Sequence, residues 1–294
     1  MKCFLISGVI TFLLAAMPSG HSAESRRGDI QILISPSEIH QGDAVFVKVI
    51  CSHPLKSIQG RFKGKDLIFF RGKGGLPFFS LLGVDLDQPP GKEELCLHIT
   101  GEGGEVIERR FAFAVIKRDF PVQRLTLPPE MVTLSAENLS RVRKERTVVQ
   151  TLFASITKKR QWERGFVMPV DGAVLSPFGV RRILNGEPRS PHTGVDLKAE
   201  MGTPVHATSS GTVALVGDHF FAGKSVYIDH GMGIVSMYFH LSSVLVKEGE
   251  RVHMGQVIGL VGQSGRATGP HLHWGIRIQG SRVDPLTLVR LFPR

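Results

Sequence analysis

Between residues 27 and 118, apolar and polar side chains alternate in short runs: Ile30 to Ile34, Ala44 to Cys51, Leu67 to Phe70, Glu93 to Ile99 and Glu105 to Ile116. A period of two puts successive side chains on opposite faces of a strand, so these runs predict strands with one buried face. Gly, Pro and Asn/Asp-type turns separate them, and the spacing predicts a β-sandwich of Ig-like type. The glycines from Gly72 to Gly75 predict a turn. Residues 119–165 follow another rule. Pro121, Pro128 and Pro129 open a linker, and Ser135 stands where a helix cap belongs. Leu139, Val142, Thr147, Val149, Leu152 and Ile156 then recur loosely at helical spacing, predicting a helix to about Lys159. From Phe166 to the C-terminus, strands and glycine-rich turns return with no helical pattern. The chain is thus predicted to be mainly β: a sandwich over 27–118, a linker with a helix over 119–165, and an antiparallel β domain over 166–294.

Composition adds a compartment. At 294 residues, 42% hydrophobic and 21% charged, the chain has room for two cores. Its long apolar run, Phe4 to Met17, follows Lys2 and precedes the small residues Ser22 and Ala23, the pattern of a secretory signal peptide over 1–23. That run is short for a membrane span. The mature protein is expected to be periplasmic or secreted, with no stable membrane span after cleavage. Cys51 and Cys96 would remain in an oxidising compartment, where a disulfide between them is open. The net charge of +10 is spread over both halves. No nucleic-acid-binding motif accompanies it, so an anionic cell-wall polymer is the expected acidic partner. The run Arg141 to Arg146 reads equally well as a plain helix face.

Candidate chemistry lies in the last third: His192-x-x-x-Asp196, Tyr238-Phe239-His240-Leu241 and Gly269-Pro270-His271-Leu272-His273. Two neutral imidazoles and a carboxylate can hold Zn²⁺ with one side open, leaving two further imidazoles for proton handling or oxyanion stabilisation. His271 and His273, two apart in a β-prone run, point to one strand face. In the strand Ile234 to Leu241, strict alternation puts Val235, Met237, Phe239 and Leu241 on one face and Ser236, Tyr238 and His240 on the other. Pro191, Gly194 and the β-branched Thr193 and Val195 make the His192–Asp196 pair a turn entering a strand rather than a helix. His21, His40, His53, His98, His206, His219, His230 and His253 read as surface or structural residues, His230 as a turn histidine. No His-Glu-x-x-His and no Gly-x-Ser-x-Gly occurs, and Ser155-Ile156-Thr157-Lys158 lacks the partner motifs of a Ser-x-x-Lys enzyme.

These motifs, with Gly172 to Arg181, Gly202-Thr-Pro-Val-His-Ala207, Gly211-Thr-Val, Val246 to Gly255 and Val283-Asp-Pro, resemble the lysostaphin/LytM-type zinc metallopeptidases, which cut peptidoglycan. The resemblance covers nearly all of residues 168 to 287, in order. It implies His192, Asp196 and His273 as zinc ligands and His240 and His271 as catalytic residues, either of which could be the base. Zinc in such a site lowers the pKa of a bound water toward about 7 and polarises an amide carbonyl. One departure is Trp274-Gly275, where many members carry an aromatic residue and then Glu; it bears on substrate fit. The implied activity is an exported zinc endopeptidase acting on peptidoglycan stem peptides or cross-bridges. Two alternatives are a catalytically silent wall-binding activator of an amidase, whose relatives lack one or more of the five residues, and a peptidase acting on secreted proteins. Intramolecular autoinhibition is a further expectation, with the sandwich or the Pro121 to Glu163 segment lying across the cleft between His192 and His240.

Overall fold

The computed structural model describes residues 24–27, 30–72, 75–126, 134–155 and 157–292. The signal segment and the linker prolines Pro128 and Pro129 lie outside these residues. Among those described, no helix is long and apolar enough to cross a membrane.

The alternating runs of the N-terminal half fold into two five-stranded sheets. One has the order Glu24–Arg27, Ile30–Ser35, Ala44–Cys51, Phe78–Gly83, Phe70–Arg71; the other runs Ile39–His40, Val106–Ile116, Gly91–Gly101, Leu55–Phe62, Lys65–Ile68. Val45, Val47 and Val49 of one sheet meet Leu95, Leu97, Ile99 and Phe111 of the other in a single core, so this half is a β-sandwich. Strand Leu55–Phe62 escapes the simple pattern because a register shift between Leu55 and Ser57 breaks its period. Strand Phe78–Gly83 escapes it for another reason. Phe78 and Leu82 face the sandwich core while Leu81 faces a second core behind the sheet, so no polar face marks it as a strand.

Cys51 and Cys96 are both free. Cys51 is buried in the sandwich core, whereas Cys96, between the inward Leu95 and Leu97, turns outward with Sγ 3.6 Å from Glu94 Oε1. Their opposite orientations leave no geometry for a bond.

The helix spans Ala136–Ala154, with Ser135 Oγ accepting from the Asn138 N–H as its cap. It stops short of Lys159. Ser155 donates its N–H back to the Thr151 and Leu152 carbonyls, and the chain beyond it is captured by another partner: Met232 N–H donates to Thr157 O, and Gln161 N–H to His230 O.

The C-terminal half is organised by a ten-stranded sheet whose main path is Val174–Ser176, Gly194–Leu197, Leu272–Ile278, Ile234–Val244, Gly223–Asp229, Gly211–His219, Arg251–Val252. One face buries Leu197, Leu272, Trp274, Ile276, Tyr238 and Val226 in the main core. On the other face, Tyr227, Val235 and Met237 are covered by Val149, Leu152 and Phe153 of the helix. A short helix, Pro285–Arg290, contradicts the expectation of an all-strand region. Its signal is local rather than periodic: Asp284 Oδ1 accepts from the Leu286 N–H, and Pro285 occupies the first turn, where its missing N–H costs nothing.

The two halves share their packing. Phe46 and Phe79, on the outer face of the sandwich, join Phe70, Trp162, Phe166 and Phe292 in a chain of aromatic contacts with centroids 5.2 to 5.9 Å apart. Polar contacts frame it: Arg118 pairs with Asp43 and Asp284, Arg282 with Asp85 and Asp87, and Ala44 N–H donates to Thr287 Oγ1 at 2.9 Å. Trp162 is 2% exposed at the centre. Trp162→Ala is expected to destabilise the protein by about 3–5 kcal/mol, the range for emptying a buried aromatic site. Urea unfolding checks this; a loss below about 1 kcal/mol would mean that the aromatic chain contributes little.

Candidate metal centre

Asp196 and His273 occupy directly opposite positions on the paired strands Gly194–Leu197 and Leu272–Ile278. Strand alternation turns both side chains to the face away from the main core, on which Val195, Leu197, Leu272 and Trp274 are buried. His192 lies in the preceding turn, as the Pro and Gly around it require, fixed by its N–H donating to Val180 O and by its carbonyl accepting from Gly179. Gly194 permits the close approach. A Cβ there would lie 2.4 Å from Trp274 O and 2.7 Å from His273 Nε2.

Three ligand atoms converge. His192 Nε2 is 2.9 Å from Asp196 Oδ1 and 2.9 Å from His273 Nδ1, and His273 Nδ1 is 2.8 Å from Asp196 Oδ1. His192 Nδ1 is 2.8 Å from Pro177 O. A carbonyl oxygen only accepts, so Nδ1 carries the proton and Nε2 presents a lone pair to the cluster. Two ring nitrogens and a carboxylate oxygen this close could hold a cation among them, and the donor set is of the kind catalytic zinc sites use. Among the described residues this is the group that could hold a metal ion.

His240 and His271 stand beside the cluster, with ring centroids 4.9 Å apart. His271 Nδ1 donates to Gly269 O at 2.8 Å, and its Nε2 lies 3.8 Å from Asp196 Oδ1. His240 corrects the expected face assignment. The alternation holds from Val235 to Phe239, but His240 adopts a left-handed backbone with φ 64°, and the pairing with Gly223–Asp229 shifts register between Tyr238 and Leu241. The slip returns Leu241 to the main core, with Tyr238, and leaves His240 near His271 and His273. Its Nδ1 donates to Ser264 O at 2.9 Å, freeing Nε2.

Burial raises the Asp196 pKa, but the His192 and His273 rings beside it outweigh that effect and hold the carboxyl well below its usual range. Burial lowers the His273 pKa, against the raising effect of Asp196. His240 is pushed down to about 4, chiefly by burial, with the Ser264 carbonyl opposing and His273 and His271 assisting. It is therefore neutral at pH 7. The flat face of His273 stacks on Phe239 at 5.1 Å and 8°, which fixes the ring's rotation.

Sequence spacing does not reveal Phe239, Pro177 or Ser264 as supports, because the last two act through carbonyl groups that every residue type carries. His230 is likewise more than a turn residue. It is wholly buried, Nδ1 donates to Ser210 O at 2.9 Å, and Nε2 lies 2.7 Å from Ser236 Oγ, which is 3.0 Å from Tyr238 Oη. Burial pushes its pKa from 6.5 down to about 4. The unfolded chain takes up this proton first, so the stability tied to the neutral ring is intact above about pH 6.5 and lost as pH falls toward 4, by about 3 kcal/mol in all. Melting curves at pH 7.5 and 5 are expected to show a smaller acid shift for His230→Asn than for the unaltered protein. Equal shifts would sink the assignment.

The autoinhibition expected from the sandwich or the Pro121 to Glu163 segment finds no support. The described residues of that segment make these contacts: Val122–Leu125 pairs with Arg181–Leu184, Arg141 binds Asp218 O at 2.7 Å, Glu145 accepts from the Phe220 N–H, and Phe153 lies under the Arg277 guanidinium. The helix flanks the site on the sheet face it shares with Phe239.

Comparison with known proteins agrees with this site. The sequence profile of peptidase family M23 matches residues 190–285, which contain all five residues. The peptidoglycan DD-endopeptidase ShyA of Vibrio cholerae is 41% identical over 121 residues, 40% of this chain and 28% of that protein. The DD-carboxypeptidase/endopeptidase Mpg of Neisseria meningitidis is 42% identical over 115 residues, 39% of this chain and 26% of that protein. The matched region thus spans little more than a quarter of these relatives. A crystal structure from Pseudomonas aeruginosa, of a protein assigned to peptidase M23, aligns with 83% of this chain and 92% of its own, at 30% identity and a TM-score of 0.65.

Proposed function

The chain belongs to peptidase family M23, and from that premise we propose that it is an exported zinc endopeptidase that hydrolyses peptide bonds in peptidoglycan stem peptides or cross-bridges. The observation that carries this reading is the convergence of His192 Nε2, His273 Nδ1 and Asp196 Oδ1 within 2.9 Å of one another, with His240 and His271 alongside. In this reading 1–23 is the signal peptide, 27–118 an Ig-like accessory module, 119–165 a linker and 166–294 the peptidase domain, acting in the periplasm or outside the cell. The relatives named as peptidoglycan DD-endopeptidases favour the same substrate.

His192, Asp196 and His273 would hold the zinc, which supplies Lewis acidity toward the scissile carbonyl. The chain's own groups then divide the remaining work. The Pro177 carbonyl and the Phe239 ring hold His192 and His273 in orientation, so little rearrangement accompanies binding. Ser264 and Gly269 fix the proton of His240 and His271 on Nδ1, leaving each Nε2 free to accept a proton from water or, once protonated, to stabilise the developing oxyanion and return the proton to the leaving amine. Digesting purified sacculi with the zinc-loaded protein and identifying released muropeptides by mass spectrometry tests the proposal. New peptide termini at a stem or cross-bridge bond are expected. Intact peptides, or glycan products alone, would overturn it.

A further inference from the structure

The segments next to the site's histidines carry an arrangement of like charges that the chemistry above does not use. Arg182 and Arg189 are directly opposite on the hairpin Arg181–Leu184/Glu187–Arg189, so their side chains share a face. Alternation sends the neighbouring Arg181 the other way, where it pairs with Asp87 at 2.7 Å and lies over Phe120. The hairpin is built into the site: it begins after Val180, whose carbonyl accepts from the His192 N–H, and ends three residues before His192.

A third arginine approaches from the loop that holds the other histidines. Gly262 bridges to His271, Ser264 O accepts from His240, and Arg266 follows two residues later. Two contacts anchor Arg266: its N–H donates to Phe221 O at 2.9 Å, and its guanidinium sits 4.2 Å from the Phe221 ring centroid. Phe221 adjoins Ala222, whose carbonyl accepts from the His240 N–H. After burial, the charges of Arg182 and Arg189 are what lower the Arg266 pKa, so the three guanidinium groups feel one another. Arg189 pairs with Glu187 at 2.9 Å, while no carboxylate among the described residues pairs with Arg182 or Arg266. Like charges facing each other across a hairpin destabilise the free protein, and an anion between them removes that cost.

We propose that Arg182, Arg189 and Arg266 form a subsite for a free carboxylate carried by the substrate next to the bond that is cut, which makes the enzyme selective for cross-linked stem peptides with ionised carboxylates over amidated or glycine-only bridges. The subsite rests on the peptidoglycan reading and specifies its substrate. Fork-shaped guanidinium groups suit a planar carboxylate, and their anchoring to the segments that carry His192, His240 and His271 keeps the subsite in register with the reacting bond.

The test compares two isolated cross-linked stem-peptide dimers, one with free carboxylates and one with those groups amidated, using the full-length protein loaded with zinc. Wild type is expected to favour the free-carboxylate dimer in kcat/KM by about tenfold or more, the range set by one charge-assisted hydrogen bond. In Arg182→Gln and Arg266→Gln that ratio falls toward one through a rise in KM, and Arg266→Lys keeps part of it. Wild type cleaving both dimers equally would overturn the subsite and leave the peptidase reading standing, as would variants, with full zinc content, that retain the wild-type ratio. Cleavage of neither dimer while sacculi are still digested would overturn the subsite alone; peptides left intact in the dimers and in sacculi would overturn the peptidoglycan reading, and the subsite with it.

Discussion

Alanine at His192, Asp196 or His273 is expected to strip zinc from the protein and reduce hydrolysis of cross-linked muropeptides to background. Each substitution leaves two ligands where three converge. Loss of a residue that merely supports a zinc ligand costs about 10–100-fold in affinity, so loss of a ligand itself costs more. Asp196 also carries the negative charge that balances the cation: Asp196→Asn keeps the shape and removes the charge, and it is expected to follow Asp196→Ala. Elemental analysis after dialysis against a weak chelator measures the effect. Full zinc content in two of the three alanine variants would refute the ligand set.

His240 and His271 are expected to separate binding from turnover. Their variants should retain zinc and lose about 10²- to 10³-fold or more in kcat, the usual effect of removing a proton shuttle or transition-state donor. His240 needs a particular control, because its φ of 64° lies in the left-handed region. Asn tolerates that backbone better than Ala does, so His240→Asn distinguishes loss of the imidazole from loss of the turn. Either variant working at close to the wild-type rate would make that histidine structural.

The positions of these residues were unequally legible in the sequence. The strand Ala44–Cys51 and the cap at Ser135 were readable because each follows from a local rule, alternation in one case and side-chain capping in the other. The His-x-His pair is readable because His273 lies on a regular strand and His271 directly precedes it, in a bridge to Gly262. Alternation alone puts His240 on the Tyr238 face, but a single positive φ resets it, and nothing in Tyr-Phe-His-Leu marks that residue as left-handed. The helical pattern overruns the end of the long helix because that end depends on backbone bonds to His230 and Met232, more than seventy residues beyond it. The carbonyl supports at Pro177, Ser264 and Gly269 belong to the same class: tertiary contacts of the main chain, to which residue identity is silent.

The aromatic chain from Phe46 through Trp162 to Phe292 has a consequence for how the molecule comes apart. An isolated peptidase half cut near Gln161 would present Phe166, Phe292 and the Trp162 ring to water in place of Phe46, Phe79 and Leu81. Such a fragment would be prone to self-association, and its rates would report on that surface as much as on access to the site. In the whole chain the same contacts link the two cores, so heating should give one cooperative transition rather than two, with calorimetric and van't Hoff enthalpies in agreement. The sandwich is therefore a structural wall of the catalytic half as well as a neighbour to it.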